Sequence, residues 1–371
     1  ISIQFICFPQ NVQAWFLYSF KVFVCKICSI TRPYFTVARM SLHNFFKRKA
    51  PSSSGSKSGT SSESASAKGS AKRVKYSRKN ALKIISWNAN GIFSRFQYDM
   101  RDIEAMLVKY DPDVVCIQET KLKAQCSNPK AKRGDHHKRF RSKLSQATKK
   151  DVESYHTLQR ALATGSLKKY RTFWSLADWK YAGTCCLVKR DIEVQSVKYW
   201  LPNSTTKSHN SDGRIIILEF EKYFLMNTYA PNNGKTKESW ARRIKWDSDL
   251  LDAMKNHFKG DAKPLIWVGD LNVNRRNEDV SDVTFFRDEK CSLYRNAPRP
   301  TDPNNLGYPG FTINEMNRFD EIYSSGNFVD TYRKFVPYGS PKIDLSTEFT
   351  WRGNRPVHVA YSPFYGKGMR I

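Results

Sequence analysis

Acidic residues are scarce in this chain of 371: 34 Asp and Glu stand against 62 Lys and Arg, a formal net charge of +28. Such an imbalance points to a polyanionic partner, because Lys and Arg bind phosphates with release of condensed counterions. A membrane surface or an acidic protein would be drawn to the same charge. A long apolar run is also missing. Ile1 to Phe20 carries no charge, but Gln4, Pro9, Gln10, Asn11 and Gln13 interrupt it. That is poor material for a membrane span, which needs about 20 predominantly apolar residues. A disulfide framework is missing too. Cys116, Cys185 and Cys186 sit inside apolar strand-like runs, where a free thiol acts as a small hydrophobe. Cys25 and Cys28 have the spacing of half a zinc site, but no second pair or nearby histidine completes it. The thiols therefore indicate a reducing compartment.

What is present suffices for a core: 40% hydrophobic and 13% aromatic residues, in a length that suits one large domain with tails or two domains. Residues 1–39 do not begin with Met and read as an upstream segment outside the working protein, with translation expected from Met40. Residues 40–80 read as a disordered basic, Ser-rich tail. Leu42, Phe45 and Phe46 fall at i, i+3 and i+4, one face of a helical turn. This stretch resembles the motif by which repair proteins plug a sliding clamp, with Arg39 where that motif expects glutamine. Ser52 to Ser70 is too poor in apolar surface to fold. The flanking basic clusters, Lys47 to Lys49 and Lys72 to Lys79, read as a nuclear import signal or as an arm touching DNA phosphates. The expected location is the nucleus, with the mitochondrion as the alternative.

The folded domain is expected over 81–371. Leu82 to Gly91 reads as a strand ending in Asn88 and Asn90. Met100, Ile103, Met106 and Leu107 then give a helix, and Val114 to Glu119 a second strand that ends in a carboxylate. A basic insertion over about 122–170 reads as a polar surface excursion. Further strands are expected at 172–174 and 183–188, then a hairpin of 214–220 and 223–229 turning at Glu221 and Lys222. A helix over about 237–258 is expected to carry Trp240, Ile244, Leu250, Leu251 and Met254 inward. Leu265 to Val268, bounded by Pro264 and Gly269, is a buried strand with Asp270 and Asn272 at its carboxyl end. Thr312 and Glu315 have capping-box spacing, and 349–351 is a late strand.

Four strands thus end in polar groups: Asn88 and Asn90, Glu119, Tyr229 with Asn232, and Asp270 with Asn272. Each alone is an ordinary turn residue. Converging at one sheet edge, where ligands of α/β folds collect, they would form an acidic, amide-rich pocket with one phenol. Mg2+ takes oxygen ligands, commonly one or two carboxylates with water and phosphate oxygens, so such a pocket suits one divalent cation and one phosphate.

Ser86-Trp-Asn-Ala-Asn-Gly91, Gln118-Glu-Thr-Lys121, Tyr181-Ala-Gly183, Gly213-Arg214, Tyr229-Ala-Pro-Asn232, Gly269-Asp-Leu-Asn-Val273, Gly310-Phe-Thr312 with Glu315, and Val329-Asp-Thr-Tyr-Arg333 occur in this order. Together they resemble the exonuclease III family of abasic-site endonucleases, within the endonuclease/exonuclease/phosphatase superfamily, from about Leu82 to the last residue. The resemblance implies a four-layered α/β sandwich, two mixed sheets packed face to face with helices outside. It implies a monomeric DNA-repair enzyme that uses Mg2+ (or Mn2+) to hydrolyse the phosphodiester 5′ to an abasic site in double-stranded DNA. A 3′-5′ exonuclease or 3′-phosphodiesterase activity would accompany it. By position, Glu119 is the main metal ligand, and Asn90, Asp270 and Asn272 join it in the metal set. Asn88 orients phosphate or metal water, Asp270 positions or deprotonates the attacking water, and Asn272 hydrogen-bonds the developing phosphorane. Tyr229 lies against the scissile phosphate with Asn232 beside it. Trp351, Met369 and Ile371 form the pocket for the flipped abasic sugar, and Asp330 supports the site.

Two departures qualify the resemblance. The family continues past Ile371 with Asp-Tyr-Phe and a later Ser-Asp-His. The sequence therefore reads as truncated, with the last sandwich strands, the family histidine and hence activity expected to be missing and a sheet edge left open. Met369 stands where relatives carry an aromatic. Two alternatives remain: a retroelement-type nuclease or phosphatase of the same superfamily, and a non-catalytic basic DNA-binding protein built on the same fold.

Overall fold

The computed structural model describes residues 3–5, 24–26, 36–37, 82–123, 149–177, 180–202, 204, 206, 209, 211–234, 236–258, 263–288, 300–340, 349–352 and 367–371. The tail 40–80, with its clamp-like and basic motifs, lies outside these residues, as does the first part of the insertion.

Among the described residues, twelve strands make two mixed six-stranded sheets. In chain order they are β1 (Ile3–Phe5), β2 (Val24–Lys26), β3 (Thr36–Val37), β4 (Leu82–Asn88), β5 (Val114–Gln118), β6 (Tyr170–Ser175), β7 (Thr184–Lys189), β8 (Ser196–Lys198), β9 (Ile215–Glu219), β10 (Phe224–Tyr229), β11 (Leu265–Asp270) and β12 (Phe328–Asp330). One sheet is ordered β3-β1-β4-β5-β7-β6 and the other β12-β2-β11-β10-β9-β8. Strand residues alternate between faces, and both faces of each sheet are covered. Ile84, Val114, Cys116, Cys186 and Val188 meet Ile216, Leu218, Leu225, Ile266 and Val268 in the space between the sheets. On the outer face of the first sheet, Ile85, Trp87, Val115 and Ile117 pack under helices Ile92–Tyr98, Met100–Tyr110 and Lys149–Ala163. Ile217, Met226, Leu265 and Trp267 do the same for the second sheet under Lys237–Ala253 and Ile313–Ser325. The four-layered α/β sandwich follows. β4 and β5 run parallel, as do β10 and β11, so the carboxyl ends within each pair lie side by side.

Three expectations need correction. The insertion is not all surface. Leu158, Ala161 and Leu167 are buried in the first sheet's outer core, with Tyr155 and Leu162 packed alongside. Tyr155, Leu158 and Leu162 hold helical spacing, a signal masked by the surrounding Lys and Arg. In the helix from Lys237, Ile244 is 49% exposed, and the buried face carries Arg243, Trp246, Asp247, Leu250 and Ala253. Leu250 and Met254 are buried as expected, and the ion-paired Arg243 and Asp247 share that face with them in place of Ile244. The sheet edge expected to stand open is paired: the backbone of β1 runs parallel with β4, and that of β2 lies between β11 and β12.

Candidate active site

The period of two along the strands builds the site. On the face between the sheets, β4 presents Ile84, Ser86 and Asn88; β5 presents Val114, Cys116 and Gln118. Across from them, β10 presents Leu225, Asn227 and Tyr229, and β11 presents Ile266, Val268 and Asp270. The first residue of each series is in the apolar core. One level up, Gln118 donates from Nε2 to Ser86 Oγ (3.1 Å) and across the sheets to Asn227 Oδ1 (2.7 Å). Asn227 in turn donates to the carbonyls of Ile117 (3.3 Å) and Cys185 (3.1 Å). This polar layer locks the register of the two sheets beneath the strand ends.

At the strand ends, Asn88 Nδ2 donates to Glu119 Oε1 (2.8 Å) and to Asp270 Oδ2 (2.8 Å). A neutral amide therefore holds two carboxylates from opposite sheets together. Asn88 Oδ1 accepts from the Asn90 backbone N–H (2.9 Å), and Asp270 Oδ1 accepts from that of Asn272 (3.1 Å). Burial, and then the charge of Glu119 to which it is hydrogen-bonded, hold the Tyr229 phenol well above its ordinary pKa. Tyr229 is thus a neutral donor. Arg214 lies 5.0 Å from the Tyr229 ring, donates to the Tyr229 carbonyl (3.1 Å) and to Tyr181 Oη (3.0 Å), and pairs with Asp212 at 2.9 Å.

The loops that follow the strands are bent in a way few side chains accept. Asn90, Glu119, Lys121 and Asn272 have φ of +48°, +49°, +49° and +47°. Left-handed backbone in non-glycine residues costs energy and clusters at functional sites. Here it turns Glu119 back toward Asn88 one residue after its strand has ended. Lys121 Nζ sits 3.0 Å from Glu119 Oε2 and also donates to Asn90 Oδ1.

The remaining site residues divide. Asn272 donates from Nδ2 to the Ala230 carbonyl (2.8 Å), which ties the β11 loop to the β10 loop. Asn232 is exposed, and its Oδ1 accepts from the Gly234 N–H (2.8 Å), a turn bond. Trp351, Met369 and Ile371 lie in one packed apolar cluster with Val280, Phe286 and Phe311. Asp330 caps the helix Thr331–Phe335 and receives Arg370 NH2 at 2.8 Å, which steadies the chain between Met369 and Ile371.

Two positions escaped the sequence reading. Arg243, 1% exposed, donates from NH1 to the carbonyls of Pro231 (3.1 Å), Leu271 (3.0 Å) and Asn272 (3.0 Å), while its Nε pairs with Asp247 (2.9 Å). It holds both site loops from behind. Asn274, fully buried, donates to the carbonyls of Asp279 (3.0 Å) and Arg370 (2.9 Å), linking the β11 loop to the apolar cluster. The alternation Asp270, Asn272, Asn274 was the available signal for the second; the first had none short of the fold.

Among the described residues no group of three or more His, Cys, Asp or Glu is gathered as for a metal ion. The donors present are oxygens: Glu119 and the Asn90 amide share one cationic group, and Asp270 is linked to Glu119 by Asn88. That set fits a hard divalent cation held by few protein ligands, as Mg2+ commonly is.

The model of the Endonuclease/Exonuclease/phosphatase family matches residues 85–342. A DNA-(apurinic or apyrimidinic site) endonuclease of Arabidopsis thaliana is 37% identical over 291 residues, 78% of this chain and 73% of that protein. One of Plasmodium berghei is 32% identical over 297 residues, 74% of this chain and 53% of the relative, so the chain spans about half of that longer protein. The crystal structure of an AP endonuclease from Leishmania major aligns over 70% of each chain with 18% identity and a TM-score of 0.47.

Proposed function

The chain belongs to the endonuclease/exonuclease/phosphatase family, and from that premise we propose a DNA-repair nuclease that hydrolyses the phosphodiester 5′ to an abasic site in duplex DNA with Mg2+ bound. The observation that carries the reading is Asn88 at 2.8 Å from both Glu119 and Asp270, with the neutral Tyr229 phenol on the same glutamate. Phosphoryl transfer asks chiefly for positioning and charge neutralisation. Glu119 and Asn90 would hold the metal, which supplies Lewis-acid neutralisation of phosphate charge.

The chain's own groups do the rest. Asp270, 1% exposed, takes the proton of the attacking water. The water oxygen bonds to phosphorus as the P–O3′ bond breaks, and the leaving 3′ oxygen picks up a proton from solvent. The Asn88 amide orients that carboxylate without adding charge that would repel phosphate. Tyr229 donates its O–H to a phosphate oxygen, its ring set by Arg214. The Asn272 amide hydrogen-bonds the oxygen charge that develops on phosphorus. An abasic sugar has no base to unpair, so flipping it costs little, and the apolar cluster of Trp351, Met369 and Ile371 selects it by shape. The basic residues of the tail serve nuclear import or DNA contact, and Leu42, Phe45 and Phe46 dock on a sliding clamp.

The native protein, given Mg2+ and a duplex with one abasic site, should cut once on the 5′ side and leave a 3′-hydroxyl. It should spare intact duplex and inositol phosphates. Equal cleavage of intact duplex would replace the abasic specificity with a general nuclease; binding with no cleavage of any substrate would leave a DNA-binding protein.

A further inference from the structure

Lys121 stands out because it is placed where the metal reading needs a cation. Its ammonium is 3.0 Å from Glu119 Oε2 and hydrogen-bonded to Asn90 Oδ1, the two side chains best placed to hold a divalent ion. This is not a casual surface pair. Glu119 and Lys121 both hold left-handed φ, +49° each, which aims the two side chains at the same point. The backbone between them is anchored on each side: Glu119 O accepts from Gly91 N (2.8 Å), and Lys121 N donates to Ala182 O (2.9 Å). Glu119 and Asp270 lie on either side of Asn88, so the cluster carries excess negative charge that one ammonium offsets. The stem of Lys121 is flexible and the side chain 38% exposed, so the head can leave without disturbing the fold.

We propose that the Lys121 ammonium is a built-in occupant of the cation position, displaced when a divalent ion binds and thereby lowering the site's affinity for that ion. The role rests on the metal-dependent reading of the same site. In the metal-free protein Lys121 keeps Glu119 and Asn90 arranged; once displaced, its charge is free to meet a phosphate oxygen. Ion affinity is then a competition between two cations for one pair of oxygens, reciprocal in the usual sense of linkage.

The test is Mn2+ binding to the metal-free native protein by titration calorimetry. Lys121→Met should bind Mn2+ about tenfold more tightly than the parent, as expected when one competing charge is removed. Lys121→Gln should move in the same direction, and Glu119→Gln should lose binding. Equal or weaker Mn2+ binding in both Lys121 variants, with binding intact in the parent, would overturn the placeholder role and leave the metal reading standing. Absence of saturable binding in parent and variants alike would overturn both.

Discussion

Asn88 shows how much a single uncharged side chain decides. It spends both amide protons on carboxylates from opposite sheets, at 2.8 Å each. Asn88→Asp removes both donors and adds a third negative charge beside two others. Incision by the native protein should fall by at least about 100-fold, as when a positioned hydrogen-bond donor is lost, with little change in secondary structure. Rates within a few-fold of the parent would remove Asn88 from the mechanism. Tyr229 makes a pH prediction of opposite kind. Its folded pKa is raised by burial first and by Glu119 second, so it keeps its proton throughout the neutral and mildly alkaline range. Tyr229→Phe should therefore lower the rate without shifting the alkaline limb of the pH profile. A limb that moves on this substitution would show a titrating phenol. These groups were legible in the sequence because each closes an apolar strand run. The partners that orient them, Arg214 and Lys121, were visible only as members of motifs, since the bonds they make join distant strands.

Elements carry the site as much as side chains do. The helix Lys237–Ala253 buries Arg243 and Asp247, and Arg243 reaches three loop carbonyls at 3.0–3.1 Å. Arg243→Met should cost about 3 kcal/mol, the scale for breaking a buried ion pair. It should also lower kcat more than it raises KM, because the loops carrying Asn232 and Asn272 lose their shared anchor. A stability loss with kcat unchanged would make the anchor purely structural. The same helix packs Trp246 against His209, ring centroids 5.0 Å apart, and Asp249 meets His209 Nε2 at 3.1 Å. Burial outweighs the pull of Asp249 and lowers the His209 pKa to about 4. The folded value lies below the unfolded one of about 6.5. Stability is therefore full above that unfolded value and lost as pH falls toward 4. Between pH 7 and 5 the loss is about 2 kcal/mol, and His209→Gln should flatten it in denaturant titrations. An unchanged acid limb would place the sensitivity elsewhere. Helix faces were the least legible feature. Apolar counting put Ile244 inside, where the structure puts a paired arginine, and it missed the insertion helix whose Leu158 is fully buried.

At the scale of the whole molecule, charge and topology play separate parts. Strand and helix periods made the single elements readable, while the layering of two sheets face to face was an expectation carried by the family resemblance. The convergence of four strand ends was not readable from those periods; it depends on the parallel pairing of β4 with β5 and of β10 with β11. On the proposed function, the charge of +28 would draw the chain to DNA by neutralising phosphates. Residues 40–80 hold ten basic residues and one acidic residue. If they touch phosphates, removing them should reduce the salt slope of DNA binding by at least about 2, at roughly 0.9 per contact. An identical slope would confine DNA contact to the folded domain.

The central claim is that the ends of β5, β10 and β11 form one phosphodiesterase site with Asp270 as its proton acceptor. Single-turnover incision of an abasic duplex by the native protein and by Asp270→Asn, with DNA affinity measured alongside, tests it most directly. The substitution keeps shape and removes the base. Incision should slow by at least about a thousandfold, within the range for general-base and electrostatic losses, while DNA affinity stays within about threefold. Unchanged turnover in Asp270→Asn would contradict the account.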